Sequence, residues 1–204
     1  PGLLDSYDLE RRPVFESTAR DFIRNFIEVD RAFLQAHDPA RDPGDFEAAW
    51  TERAAGSPAE IHGFEPHYEG SPVVFGPNGG QCSAIGDHQF TARAGHHLAP
   101  QSLEGGGTVF DRLGAGYTLL VLGDDAGNAE DRDRWAGALE AVAAGLRIPL
   151  TVVREGSQAV RAAYGASLVL VRPDAFVAWA GEPFADSAER VLGRASGRHS
   201  KHSA

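Results

Sequence analysis

The stretch "SLVLVRPDAFVAWAG", residues 167–181, decides the fold because only an Arg-Pro-Asp turn separates its two apolar runs. A connection this short allows only an antiparallel hairpin. Upstream lie two more buried-strand patterns, "YTLLVLG" (117–123) and "IPLTVVRE" (148–155), with the helical pattern 129–146 between them. A helix between two strands favours a parallel crossover. The sequence therefore predicts a parallel βαβ unit followed by a hairpin.

Two further helical patterns complete the order of elements. The first, "SQAVRAAYG" (157–165), ends at Gly165, and the second is "EPFADSAERVLGRA" (182–195). Before the first strand, Thr108 is expected to cap a helical turn. The order strand, helix, strand, helix, strand, strand, helix is the thioredoxin-like arrangement. We therefore predict an α/β fold, with a thioredoxin-like domain (βαβ-ββα) over 108–196 and a disordered tail over 197–204.

The N-terminal 56 residues are predicted to be helical. A first helix is expected from Leu3 to Arg11, and Pro13 predicts that a new helix starts near that position. Apolar residues then recur at spacings of four and three, which gives one continuous stripe. The stripe contains Phe15, Ala19, Phe22, Phe26, Val29 and Phe33. Little in the next thirty residues could cover it, so we expect it to pack against a surface outside these residues.

Residues 57–107 are predicted to form strands and turns that connect the helical region to the α/β domain. Glycine, proline and asparagine flank their short apolar runs, which is typical of hairpins. A short helix is expected just before them, in "FEAAWTERAAG" (46–56). The sequence thus predicts four regions: helical 1–56, a connecting region 57–107 packed on the next domain, the α/β domain 108–196, and the tail.

Composition excludes several classes of function. The net charge of −10 argues against nucleic acid and against an anionic membrane as a partner. There is no apolar run near the roughly 20 residues that span a bilayer, and no signal peptide is visible, so a cytoplasmic location is expected. Cys82 is the only cysteine, which excludes an internal disulfide and a CxxC pair.

Motifs for redox or nucleotide chemistry are missing. A thioredoxin-like redox site needs a thiolate at the helix N-terminus after the first strand, and the loop there, "DDAGNAED" (124–131), contains no cysteine. The Gly-rich segment 104–116 fits neither GxGxxG nor a Walker A loop, and Lys201 is the only lysine. The domain is therefore predicted to be redox-inactive.

Histidines and carboxylates cluster between residues 60 and 97, which raises the question of a metal. The candidates are Glu60, His62, Glu65, His67, His88, His96 and His97. Neighbouring residues on a strand point to opposite faces, so His96 and His97 would not readily share an ion. The sequence favours surface or loop histidines, and we predict no catalytic, cofactor-binding or metal-binding residue. A metal-dependent β-rich enzyme built on residues 60–97 stays open as an alternative.

Three separated stretches resemble one protein family. They are "LLDSYDLERRPV" (3–14), "GTVFDRLGAGYTLLVLG" (107–123) and "YGASLVLVRPDAFVAWAG" (164–181). In this order they are similar to the C-terminal half of FAD-dependent aromatic-ring hydroxylases, the class A flavoprotein monooxygenases. The first resembles the segment that closes the FAD-binding domain of that family. The branch with a thioredoxin-like C-terminal domain includes phenol hydroxylases and polyketide-tailoring hydroxylases.

One segment departs from the family's pattern. The family has a segment like PGHRLPDREL, where this chain has "AGHHLAPQSL" (94–103). Gly95, His96, Leu98 and Leu103 fit that pattern, whereas His97, Ala99 and Pro100 replace the expected Arg, Pro and Asp. This departure leaves the subfamily and the substrate undefined.

The resemblance implies the C-terminal portion of an FAD- and NAD(P)H-dependent monooxygenase that hydroxylates a phenolic or polyketide-type aromatic substrate. Its helical start would be left from an FAD-binding domain, and its thioredoxin-like domain would be structural or serve oligomerisation. The family's GxGxxG, DG and GD motifs have no counterpart here, so no cofactor residue is transferred and this chain alone is expected to be inactive and to bind no cofactor.

The implied partners are the missing N-terminal FAD-binding domain or chain, a second copy in a homo-oligomer, and the aromatic substrate of the full enzyme. The chain would then be a proteolytic fragment, an engineered piece or one chain of a split enzyme. The alternative is a standalone thioredoxin-like binding or assembly module without enzyme activity.

Overall fold

The computed structural model describes residues 2–55, 63–123 and 129–198. These residues form two compact units. The first unit comprises residues 2–11, 67–82 and the described residues from 89 onward, and the second comprises 12–55, 63–66 and 83–88. The division into four regions predicted from the sequence stays a prediction.

The chain begins with three helices: α1 (Gly2–Ser17), α2 (Arg24–Ala36) and α3 (Pro43–Ala55), with a π-helical segment, Thr18–Ile23, between the first two. None of the described helices combines the length and the apolar character needed to cross a bilayer.

The predicted helix break near Pro13 is wrong, because α1 runs through that residue. Proline normally removes one helical hydrogen bond and disfavours α geometry in the residue before it. Here the buried polar residues Ser6, Glu10 and Ser17 fall on one face of an unbroken helix. Their contacts outweigh the local preference, and the irregular π-helical turns follow at Thr18–Ile23.

Two short strands follow, β1 (Phe64–Tyr68) and β2 (Cys82–Ile85), and they pair in a two-stranded sheet. A 3₁₀ helix, Val109–Arg112, comes next. Thr108 is its N-cap residue and forms a capping box with Asp111, whose carboxylate accepts from the Thr108 N–H and hydroxyl, at 2.6 and 3.0 Å. The prediction of a helical turn capped at Thr108 is confirmed.

A four-stranded sheet forms the centre of the first unit. Its strands are β3 (Tyr117–Leu122), β4 (Leu150–Glu155), β5 (Leu168–Val171) and β6 (Val177–Gly181), in the order β4-β3-β5-β6. β3 and β4 are parallel, whereas β5 is antiparallel to both β3 and β6. The predicted parallel crossover and the predicted hairpin are both confirmed.

Helices cover both faces of this sheet. They are α4 (Ala129–Leu146), α5 (Gln158–Tyr164) and α6 (Ala188–Ala195). Side chains alternate along a strand, so Leu119 and Leu120 enter different apolar clusters. The first cluster includes Trp135 of α4 and Leu192 of α6, and the second includes Tyr164 of α5. Burial on both faces explains why β3 and β5 read as continuous apolar runs. The prediction of a buried strand over 148–155 is wrong, because β4 lies at the edge of the sheet and exposes Thr151 and Arg154.

In the second unit, the phenylalanine stripe is covered unevenly. The ring of Phe33 lies 5.9 Å from the rings of both Phe46 and Trp50 of α3, and that of Phe22 lies 5.1 Å from Phe64 of β1. Phe15, by contrast, is 74% exposed. The expectation that little in the following thirty residues could cover the stripe is wrong for Phe33, because α3 folds back onto α2.

Candidate functional site

The three stretches that carry the family resemblance meet at one cavity in the first unit. The cavity has a volume of about 290 Å³. The first stretch contributes the N-terminal part of α1, the second the start of β3, and the third the turn between β5 and β6. The lining residues are Leu3, Leu4, Ser6, Tyr7, Glu10, Tyr117, Arg172, Pro173 and Asp174.

A nearly buried ion pair forms one wall of this cavity. Arg172 donates to both carboxylate oxygens of Glu10, from Nη1 at 2.6 Å and from Nη2 at 3.0 Å. The side chains of Arg172 and Glu10 are 10% and 4% exposed. Ser71 donates from its hydroxyl to the same Glu10 carboxylate, at 2.6 Å. This pair joins the first and third of the resembling stretches.

A second carboxylate completes the ionic network. Asp174 accepts from Nε of Arg172 at 3.1 Å and from Nη2 at 2.8 Å. Burial by itself would lower the pKa of Arg172, but the hydrogen bonds to Glu10 and the charge of Asp174 outweigh burial and raise that pKa. The guanidinium therefore keeps its charge, and two carboxylates already neutralise it.

This arrangement suits packing better than catalysis. The two carboxylates around Arg172 disfavour a bound anion. The Tyr117 hydroxyl donates to the backbone carbonyl of Ala195 at 2.7 Å, and burial raises the pKa of Tyr117 to about 12. Such a phenol is a poor acid or base near neutral pH.

The thiol of the chain is not activated. Cys82 begins β2 rather than a helix, and it is half-buried. Burial raises the pKa of its thiol, and a backbone hydrogen bond from Gly70 offsets only part of that rise. A reactive cysteine needs a lowered pKa. The loop in which a redox cysteine was sought, 124–131, lies mostly outside the described residues.

The structure separates most of the candidate metal ligands. Glu60 and His62 lie outside the described residues, and His88 is exposed. Glu65 is not part of the one group of potential ligands found in the described part of the chain. His97 packs its ring near the rings of Phe110 and Phe176, at 5.7 and 5.4 Å.

Two of the candidates, His67 and His96, come together with a third residue, Glu69. Their potential ligand atoms all lie within 4.8 Å of one another. Glu69 was not predicted from the sequence, although its position two residues after His67, at the end of a strand pattern, was the available signal. The prediction that the chain binds no metal stays a prediction.

Glu10 and Arg172 were likewise not predicted as site residues. Glu10 lies in the resembling stretch 3–14 and Arg172 in the stretch 164–181. The available signal for an ion pair was therefore one acidic and one basic residue in two motifs of the same family. Nothing in the local pattern of either stretch predicts that they pair across 162 positions.

The sequence of this chain is similar to one protein family and to several known proteins. Residues 91–198, more than half of the chain, match the family described as "Aromatic-ring hydroxylase, C-terminal". Aklavinone 12-hydroxylase RdmE of Streptomyces purpurascens is 28% identical over 215 residues, which cover 94% of this chain and 34% of that protein. The FAD-dependent monooxygenase apdD of Emericella nidulans is 37% identical over 100 residues, 47% of this chain and 15% of that protein.

Among solved structures, the rebeccamycin biosynthetic enzyme RebC with reduced flavin superposes with a TM-score of 0.69 at 25% identity. The match covers 98% of this chain and 37% of RebC. The chain thus spans about a third or less of the length of each of these three proteins. It belongs to the aromatic-ring hydroxylase family and corresponds to a C-terminal portion of its FAD-dependent monooxygenases.

Proposed function

We propose that this chain works as the C-terminal portion of an FAD- and NAD(P)H-dependent monooxygenase that hydroxylates a phenolic or polyketide-type aromatic substrate. The observation that carries the proposal is the convergence of the three family-resembling stretches on one ion-paired cavity. A structural ion pair, Arg172–Glu10, rather than a reactive group, lines that cavity. In the whole enzyme, the flavin would supply the oxygen chemistry, and protein groups would position it.

We propose further that the α/β portion is a thioredoxin-like domain with a structural or oligomerisation role. The sheet order β4-β3-β5-β6, with a parallel first pair and an antiparallel hairpin, supports this. The raised pKa of Cys82, and its place on a strand, support a redox-inactive domain. The residues described here include no group that the geometry marks as a nucleophile or as a general base.

The partners proposed for this chain are an FAD-binding domain or chain, a second copy, and the aromatic substrate of the whole enzyme. The exposed apolar side chains of Leu4 and Tyr7, 81% and 63% exposed, support a protein partner for the first unit. We propose no nucleic-acid and no membrane partner, in keeping with the net charge of −10, and a cytoplasmic location.

Flavin binding tests the proposal. The 204-residue chain and the product of the complete encoding reading frame are each titrated with FAD, and binding is followed by flavin fluorescence. We expect the complete product to bind one FAD and to oxidise NAD(P)H when a phenolic substrate is present. The 204-residue chain should bind no FAD and should not accelerate NAD(P)H oxidation.

Two outcomes would overturn the proposal. Stoichiometric FAD on the 204-residue chain would place a flavin site within it. A reading frame that encodes no FAD-binding region would favour the standalone binding or assembly module instead.

A further inference from the structure

In place of the sequence-based expectation of no metal, we propose that His67, Glu69 and His96 form a zinc site. The site is independent of the proposed monooxygenase function. Two imidazoles and one carboxylate are a ligand set that zinc accepts, with water in the fourth position. In the described residues, these three are the group whose ligand atoms come within 4.8 Å of one another.

The backbone holds the two segments of this site close together. His67 lies in β1, and Glu69 follows that strand directly. The Tyr68 N–H donates to the Gly95 carbonyl at 2.7 Å, which places the residue before His96 beside the residue after His67. Gly95 adopts a φ of +92°, and a Cβ there would lie 2.7 Å from the backbone nitrogen of Glu69. Only glycine permits this approach without displacement.

His96 is fixed from its other side as well. Its carbonyl accepts from the Val177 N–H at 2.9 Å, and the Gly95 N–H donates to the Val177 carbonyl at 2.8 Å. The segment that carries His96 is therefore hydrogen-bonded to β6 of the central sheet. A ligand set held by rigid elements loses less entropy when an ion binds.

The side chains already contact one another. Nε2 of His96 lies 2.9 Å from Oε1 of Glu69, and the rings of His67 and His96 are stacked with centroids 4.7 Å apart. Zinc bonds of about 2.0–2.2 Å in a tetrahedral site put ligand atoms about 3.3 Å apart. The His96–Glu69 separation is already near that value, and the other ligand-atom separations are within 4.8 Å.

Binding requires two local changes. The imidazole rings are inclined by only 13°, whereas an ion must lie near the plane of each ligating ring, so one ring must turn. A nitrogen that binds zinc must carry no proton. If Nε2 of His96 is the ligand, its proton moves to Nδ1 or is released to solvent, and the Glu69 carboxylate then bonds to zinc instead of accepting that proton.

Burial favours zinc over harder cations. His67 and His96 are 8% and 3% exposed, while the Glu69 side chain is 24% exposed. Solvent therefore reaches the cluster from the Glu69 side, which is the side from which an ion would enter. Calcium and magnesium prefer all-oxygen sites, whereas imidazole suits zinc.

Zinc titration tests the site. The 204-residue chain is stripped with a chelator, titrated with Zn²⁺ at neutral pH against a chromophoric competitor, desalted, and analysed for zinc content. We expect one equivalent of zinc, and an unfolding midpoint that rises with Zn²⁺ concentration. Glu69→Gln, which keeps size and hydrogen-bonding capacity, should weaken zinc affinity at least about tenfold, as should His96→Gln.

Matched controls separate this site from other histidines. His97→Gln and His88→Gln change neighbouring and exposed histidines and should keep the wild-type affinity. A chain without residues 199–204 removes His199 and His202 and should also keep it. Circular dichroism confirms that each variant is folded, and if His96→Gln is not, Glu69→Gln decides alone. Absence of stoichiometric zinc, or equal affinity in wild type and folded Glu69→Gln, would overturn the site.

Discussion

Arg172 donates two hydrogen bonds to the carboxylate of Glu10, although the two residues are 162 positions apart in the sequence. The side chains are 10% and 4% exposed. A bidentate pair of this kind specifies geometry as well as charge. It fixes the N-terminal part of α1 to the turn between β5 and β6 within the first unit. The pair thus links two of the family-resembling stretches, 3–14 and 164–181, in the folded chain.

Replacing Glu10 with Gln should destabilise the chain. The change leaves the buried Arg172 charge with Asp174 as its remaining carboxylate. Breaking one side of a buried ion pair costs about 3–5 kcal/mol, and the retained Asp174 contact favours the lower end, about 3 kcal/mol. Urea denaturation of wild type and variant measures the difference in the free energy of unfolding.

The matched control is the exposed pair Arg154–Asp133, whose side chains are 56% and 62% exposed. Asp133→Asn should change the free energy of unfolding by less than about 1 kcal/mol, since solvent screens such pairs. Equal losses in Glu10→Gln and Asp133→Asn would contradict the structural role given to the buried pair.

Most of the α/β architecture follows from local pattern. The apolar run of 117–122 is buried at every position, and such runs with a helix between them specify a parallel pair. Gly165, at a φ of 70°, ends α5 as the sequence predicted. These features could be predicted because each depends on residues a few positions apart.

Long-range contacts could not be predicted in the same way. The continuation of α1 through Pro13 depends on buried polar side chains on both sides of the proline. The Phe33 ring is covered because α3 folds back and brings Trp50 against it, and the direction of that turn depends on contacts between the two helices. The groups at Glu10–Arg172 and at His67–Glu69–His96 join residues that only the folded chain brings together.

Stability should fall at alkaline pH through Tyr117. Burial raises the pKa of Tyr117 to about 12 in the folded chain, against about 10 in an unfolded one. Its contribution to stability is therefore complete below about pH 10 and is lost as the pH rises to about 12. A shift of about two pH units corresponds to at most about 2–3 kcal/mol. The free energy of unfolding, measured from pH 9 to pH 12 in steps, reports this loss.

Two variants isolate that effect. Tyr117→Phe loses the hydrogen bond to Ala195, about 1 kcal/mol, at every pH but should decline less steeply above about pH 10. Tyr7→Phe changes a tyrosine that is 63% exposed and should decline like wild type. If Tyr117→Phe kept the full wild-type slope, Tyr117 would not be the group responsible.

The phenylalanine stripe should contribute unevenly to stability. Phe33 contacts two aromatic rings of α3, and Arg53 lies over its face at 4.9 Å. Phe33→Ala should therefore cost about 1.5–3 kcal/mol. Phe15→Ser, at a position 74% exposed, should change the free energy of unfolding by no more than about 0.5 kcal/mol.

The same variants test the proposed partner of the stripe. Phe15→Ser should impair assembly with an FAD-binding portion, which copurification of the two parts measures. Phe22 resembles Phe33 rather than Phe15, because its ring contacts Phe64. A loss of several kcal/mol in Phe15→Ser alone would mean that Phe15 is part of the core of this chain, and would favour the standalone module.

Oxygen insertion by the complete enzyme tests the proposed function most directly. The product of the full reading frame is supplied with FAD, NAD(P)H, oxygen and an aromatic substrate, and mass spectrometry follows the substrate in wild type and Cys82→Ser. We expect a product heavier by one oxygen atom, formed at the same rate by both proteins, because the Cys82 thiol is half-buried and its pKa is raised. No oxygenated product from the flavin-loaded enzyme across phenolic and polyketide-type substrates, or a product that Cys82→Ser abolishes without unfolding, would contradict this expectation.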